Sequence, residues 1–160
     1  MIAQRLPQTA DEPEHESLRL WLRLFTCTTV ISQVVDGSLK REFGSSLPRF
    51  DLLSQLDRAP GGLRMGEISE RMLTTGGNVT WLVRALESEG FVTRRVADSD
   101  RRAAIVRLTR NGRRHFAGMA RAHERWITTM FASLTPAERK DLHALLGSIK
   151  QGFRPSRTPE

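Results

Sequence analysis

The chain contains no tyrosine and one cysteine, Cys27, among its 160 residues. A single cysteine excludes an intramolecular disulfide framework and fits a reducing compartment. No apolar run approaches the roughly 20 residues needed to cross a bilayer, and the first sixteen residues (MIAQRLPQTADEPEHE) lack the apolar stretch of an export signal. These absences predict a soluble, cytoplasmic protein with no membrane partner. There is also no glycine-rich phosphate loop opening a helix, no metal-spaced cluster and no nucleophile beside a base. Neither an enzyme nor a bound cofactor is expected. His115, His123, Glu124 and His143 do not suggest a metal site, because the two histidines of one helix lie eight residues apart and lack the i, i+4 spacing of a preformed pair.

What the chain does have is arginine. It carries a formal net charge of +7, from 25 Lys and Arg against 18 Asp and Glu. Residues 1–60 hold seven basic and eight acidic residues, residues 61–115 hold eleven and six, and residues 116–160 hold seven and four. Between Arg94 and Arg114 there are eight arginines, opposed only by Asp98 and Asp100. Guanidinium groups so concentrated suit forked contacts to phosphates or guanine edges, beyond the general attraction of a cationic surface for polyanions. The length predicts one cooperative unit rather than two domains.

Along the chain, an acidic leader over residues 1–16 is followed by a long helix over 17–45. Its apolar groups recur at Leu20, Leu24, Cys27, Ile31 and Val34, and a second set (Leu18, Trp21, Leu22, Phe25, Val35) widens the apolar surface beyond one stripe. A short helix with Phe50, Leu52, Leu53 and Leu56 ends at Pro60-Gly61-Gly62. A second short helix runs from about Glu67 to Met72, and a break at Thr74-Thr75-Gly76-Gly77 turns the chain. A helix from Gly76 to Glu89, capped by Thr75 and closed by Gly90, then buries Val79, Leu82, Val83 and Leu86. This pair makes a helix-turn-helix. Strands at Val92–Val96 and Ala104–Leu108, joined by a tip rich in Asp and Arg, form a hairpin behind it. A long helix from Thr109 and a further one opened by Thr135-Pro136-Ala137-Glu138 supply apolar faces over 116–151. Residues 152–160 read as a loose tail.

The segments GEISERM, TTGGNVTWLVRALESEGFVTRR and ADSDRRAAIVRLTRNGRRHF resemble the MarR family of transcriptional regulators. The Asp-x-Asp-Arg-Arg tip, the strand ending Val-Arg-Leu-Thr and the following Asn-Gly make the last of these the most specific. The resemblance implies a mainly α fold with a small β-wing. Residues 47–115 would be the winged helix-turn-helix DNA-binding lobe, and long N- and C-terminal helices would interdigitate in a homodimer. It further implies binding to duplex DNA at a pseudo-palindromic operator, its half-sites about one helical turn apart.

With the apolar side of the second helix inward, Gly76, Gly77, Asn78, Thr80, Trp81 and Arg84 face outward. Asn78 suits a paired contact to adenine, Thr75 and Thr80 suit phosphate or a thymine methyl, and Arg84 suits phosphate or guanine. Trp81 either packs on sugar or a thymine methyl, or folds back. Gly76 and Gly77 serve a tight turn, a close approach of backbone amides to phosphate, or both. Arg94 adds to the basic surface. In the wing, the resemblance gives Asp98 or Asp100 the role of bracing the tip, and Arg101 or Arg102 that of entering the minor groove.

The family places its effector pocket where the dimerisation helices meet the DNA-binding lobe. Trp21, Phe25, Arg41, Arg49 and Phe50 are the candidates there, and aromatic walls beside arginines suit an aromatic carboxylate or its coenzyme A thioester. The runs LPRFDLLSQL and MLTTGGNVTWLV also resemble the subgroup controlling catabolism of aromatic acids. The expected function is a repressor released by such a ligand. The alternatives are an activator of the same fold and a redox-sensing repressor acting through Cys27. The redox reading is opposed by the lack of any tyrosine to activate the thiol.

Overall fold

The computed structural model describes the backbone of residues 13–97 and 100–152, and the side chains of residues 15–95 and 104–152. The elements run α1 (Pro13–Phe43), α2 (Leu47–Asp57), β1 (Leu63–Arg64), α3 (Met65–Arg71), α4 (Gly76–Ser88), β2 (Val92–Ala97), β3 (Asp100–Leu108), α5 (Arg110–Met130) and α6 (Pro136–Gly152). The fold is mainly helical, with one three-stranded antiparallel sheet in the order β1-β3-β2.

Helix α1 begins four residues earlier than the sequence suggested, inside the stretch read as leader. Pro13 takes the first helical position, where its missing N–H costs nothing, and Glu16 favours the positive end of the helix dipole. Strand β1 was not foreseen at all. Its two residues pair Leu63 with Val106 and Arg64 with Ile105, so their conformation is set by a partner more than forty positions away. Both hairpin strands also run further than expected, to Ala97 and from Asp100.

The core joins Leu52, Leu53 and Leu56 of α2 to Ile68 of α3, then to Val79, Val83 and Leu86 of α4, with Val92 and Val106 closing it from the sheet. Met119 of α5 and Val35 and Leu39 of α1 complete it from the other side. Asp36 locks the start of α2 to α1 by accepting the Leu47 N–H at 2.8 Å, while Lys40 lies 2.7 Å from its other oxygen. Lys40 first and the Leu47 amide second hold the Asp36 carboxyl below its ordinary value.

The Asn-Gly that opens α5 has a packing reason. Thr109 caps the helix by accepting the Gly112 N–H at 2.9 Å, and its own hydroxyl donates to Gly90 O at 2.7 Å. The Thr109 amide donates to Phe91 O. Helix α5 is thereby pressed so closely onto the corner after α4 that a Cβ on Gly112 would overlap the Phe91 carbonyl. Around the same corner, His115 stacks on Phe91 with ring centres 4.2 Å apart, Phe43 meets His115 edge-on, and Phe50 lies against both Phe116 and His123.

Outside the core, long apolar faces are left uncovered. Leu18, Leu20, Trp21, Phe25, Val30 and Val34 of α1 are all exposed. Helix α6 buries no residue, and its Leu142, Leu145, Leu146 and Ile149 line up in the open.

Two expectations follow from this packing. Gly112→Ala should lower stability by roughly 1–3 kcal/mol through overpacking, whereas Gly147→Ala, which meets nothing within 4 Å on exposed α6, should raise it by about 0.5–1 kcal/mol; urea unfolding distinguishes them. Burial lowers the pKa of both His115 and His123, and for His115 the nearby Arg49 adds to this. Groups depressed in the native state contribute stability that is complete above their unfolded value of about 6.5 and is lost as pH falls from there toward the native values. The urea midpoint should therefore drop between pH 7 and pH 5, and His115→Phe, which keeps the ring stack, should flatten that slope.

Candidate nucleic-acid interface

Helix α4 is built to present its first turn. Val79, Leu82, Val83 and Leu86 are buried on one side. That leaves Gly76, Gly77, Asn78, Trp81 and Arg84 exposed on the other, with Thr80 half-buried. Thr75 caps the helix through the Asn78 N–H. The Asn78 side chain is itself positioned, since Nδ2 donates to Thr74 Oγ1 at 3.1 Å and leaves its carbonyl and second N–H outward. Thr80 Oγ1 donates to Gly76 O at 2.9 Å, so its methyl is the group left to face a ligand. Trp81 is 67% exposed.

In the turn between α3 and α4, Gly76 and Gly77 do not supply the left-handed residue. Leu73 does, at φ 51°, and among the described non-glycine residues it alone has a positive φ. A Cβ would meet nothing within 4 Å at Gly77 and only Ser69 Oγ, at 4.0 Å, at Gly76. The fold does not require these two glycines to lack side chains. Both are exposed, so the amides of the first turn, at the positive end of the helix dipole, stay open to solvent.

Behind α4, Arg94 stands on β2 with Glu87 at 4.0 Å. Arg107 donates to Gly61 O at 2.7 Å and so ties β3 to the loop before β1. Arg84, Arg95, Arg110, Arg113 and Arg114 are exposed and form no ion pair among the described residues. Asp98 lies outside the described residues, as do the side chains of Asp100, Arg101 and Arg102 at the wing tip.

The five residues expected to form an effector pocket have these contacts among the described residues. Trp21 and Phe25 stack on each other, ring centres 5.7 Å apart, on the uncovered part of α1. Arg41 lies beside Ser38 and Glu42. The Arg49 guanidinium is paired with Glu89, and Phe50 is taken up by Phe116 and His123. A different cavity exists, of about 510 Å³, between the start of α2 and the helix-turn-helix, and none of the five lines it. Its walls come from Leu47, Pro48 and Asp51 on one side and from Leu73, Asn78 and Trp81 on the other. No sequence period marks such a space, because α2 and α4 meet there only through the fold. Cys27 is exposed on α1. Among the described residues no group of three His, Cys, Asp or Glu could hold a metal ion, and no helix is long and apolar enough to cross a membrane.

A model of the MarR family matches residues 43–103, from the end of α1 to the wing. The uncharacterised HTH-type transcriptional regulator YkoM of Bacillus subtilis is 30% identical over 106 residues, which are 66% of this chain and 68% of YkoM. The transcriptional activatory protein BadR of Rhodopseudomonas palustris is 26% identical over 106 residues, covering 65% of this chain and 60% of BadR. Among solved structures, the MarR family transcriptional regulator Sco3205 of Streptomyces coelicolor, determined in complex with DNA, superposes with a TM-score of 0.79 at 25% identity over 95% of this chain and 96% of its own. The capped helix-turn-helix, the antiparallel wing strands and these relatives agree: the chain belongs to the MarR family of winged helix-turn-helix, DNA-binding transcriptional regulators.

Proposed function

We propose that the chain works as a homodimeric repressor that holds a pseudo-palindromic operator and lets it go when a small molecule binds. The observation that carries this is the leading face of α4. Its outward groups are uncharged or basic, its asparagine is oriented by a neighbour, and the unpaired arginines lie to either side of it in the chain. In this reading Asn78 reads an adenine edge, the Thr80 methyl and Trp81 meet apolar groups in the major groove, and Gly76, Gly77 and Thr75 receive a phosphate. Arg84, Arg94 and the wing's Arg101 or Arg102 supply phosphate, guanine or minor-groove contacts, with Asp98 or Asp100 bracing the tip. The uncovered faces of α1 and α6 are where the second copy belongs.

Activation is the second reading, favoured by the name of BadR. Which sign holds depends on where the operator lies relative to the promoter. An aromatic carboxylate or its thioester, the effector class suggested by the resemblance, would need Arg49 to exchange Glu89 for the ligand. A redox role for Cys27 has less support, since no hydrogen bond or ion pair to it occurs among the described residues.

Fluorescence anisotropy should show tight binding to a duplex from upstream of the chain's own gene, weak binding to a scrambled duplex, and steep loss with salt. Asn78→Ala should weaken the specific duplex by about 1–3 kcal/mol while sparing the scrambled one; Arg113→Gln should weaken both alike and reduce the salt slope. Equal affinity for the two duplexes in the unaltered protein would count against sequence-specific reading by α4. In sedimentation velocity the chain should run as a dimer, and Leu20→Asp combined with Leu145→Asp should make it a monomer with helical content retained.

A further inference from the structure

The cavity between α2 and the helix-turn-helix has the size of a small-molecule site, about 510 Å³, and its lining is mainly apolar. We propose that it is the effector site and that it takes a lipophilic organic cation, an apolar body bearing a protonated or quaternary nitrogen or a similar centre. This rests on the repressor reading for its consequence, though not for the binding itself.

Charge decides the ligand class. Asp51 is the one ionisable side chain on the cavity wall. It is half-buried, it accepts a hydrogen bond from the Gln55 amide at 3.1 Å, and no Lys or Arg pairs with it among the described residues. An ionised carboxylate in that position has acceptor capacity left over and no counter-ion. An anionic ligand would set its charge against it with no basic side chain on the cavity wall to offset the repulsion. A cation would relieve it.

Two helices begin at this cavity, and free amides at helix starts would argue for an anion. At the start of α2 the Leu47 N–H goes to Asp36, Pro48 has none, and the Phe50 N–H goes to Ser46 O. At the start of α4 the Asn78 and Val79 amides are taken by Thr75, and Gly76 and Gly77, whose amides face the DNA-reading side, do not line the cavity. The remaining wall is apolar and aromatic. Trp81, 67% exposed, offers an indole face to a cation, and Leu73 holds its side chain 94% exposed at the rim. Such a ligand would cover both.

The consequence for DNA is direct. Trp81 and Asn78 belong both to the cavity and to the leading face of α4. A ligand seated against them occupies groups the operator would need, so release requires no long-range rearrangement.

The test uses two ions of one shape and opposite charge, tetraphenylphosphonium and tetraphenylborate, titrated calorimetrically into the full chain without DNA. The phosphonium is expected to bind at one site per chain, at least roughly tenfold more tightly than the borate. Asp51→Asn and Trp81→Leu should each weaken it about fivefold to tenfold, with circular dichroism confirming that both variants fold. Equal affinity for the two ions, or a phosphonium affinity unchanged in Asp51→Asn, overturns the proposal. The same cation should then displace the labelled operator from the unaltered protein and fail to do so from Asp51→Asn. Selective binding without displacement overturns the competition step, whereas failure of the protein to bind any duplex overturns the repressor reading and leaves the calorimetric result standing on its own.

Discussion

The fold turns on a contact between two backbones: α5 starts against the carbonyl of Phe91, at a distance only a glycine permits. Thr109 makes that meeting specific by capping α5 with one lone pair while donating its proton to Gly90 O. The end of the recognition helix, the first residue of the wing and the root of the long C-terminal helix are thus held at one point. Burial then follows. His115 and Phe91 stack because their backbones are already adjacent, and Phe43 of α1 closes over them. The Arg49 and Glu89 pair bridges α2 to the same corner, trading exposed charge for a fixed angle between the two.

Electrostatics and apolar surface are sorted to different parts of the molecule. Arg84, Arg95, Arg110, Arg113 and Arg114, exposed and without an acid partner among the described residues, lie on α4, β2 and the first turns of α5, while most of the exposed large apolar side chains lie on α1 and α6, Leu73 and Trp81 excepted. Neither set would be tolerated well in an isolated monomer. Uncompensated positive charge repels itself, and a long apolar stripe on a solvated helix invites association. A bound polyanion and a second chain would relieve both.

Local features could be read from the sequence, and contacts between distant segments could not. Thr75, Gly90 and the Thr135–Glu138 box act within a turn or two of themselves, and each does what its residue type suggests. The inward set of α4 was equally plain from its spacing. Strand β1 was invisible because Leu63-Arg64 has no period and takes its conformation from Ile105 and Val106. The left-handed residue of the α3–α4 turn has no mark in the sequence: glycines are the usual occupants, yet Leu73 adopts it while Gly76 and Gly77 stand in the first turn of α4. Residue type alone points to Arg49 and Phe50 as pocket residues, whereas in the structure both have partners within the chain. The cavity framed by α2 and α4 carries a carboxylate instead.

The fastening of α4 to the root of α5 also sets a mechanical gain. Helix α5 has 21 residues, a rod of about 31 Å. If its far end were gripped by the partner chain, a tilt of roughly 5° there would carry the recognition helix about 3 Å, close to the rise of one base pair. The distance between the two reading heads would then be adjustable in steps comparable to the unit of the text they read, and the stiffness of a single glycine–carbonyl joint would decide how faithfully that adjustment is transmitted.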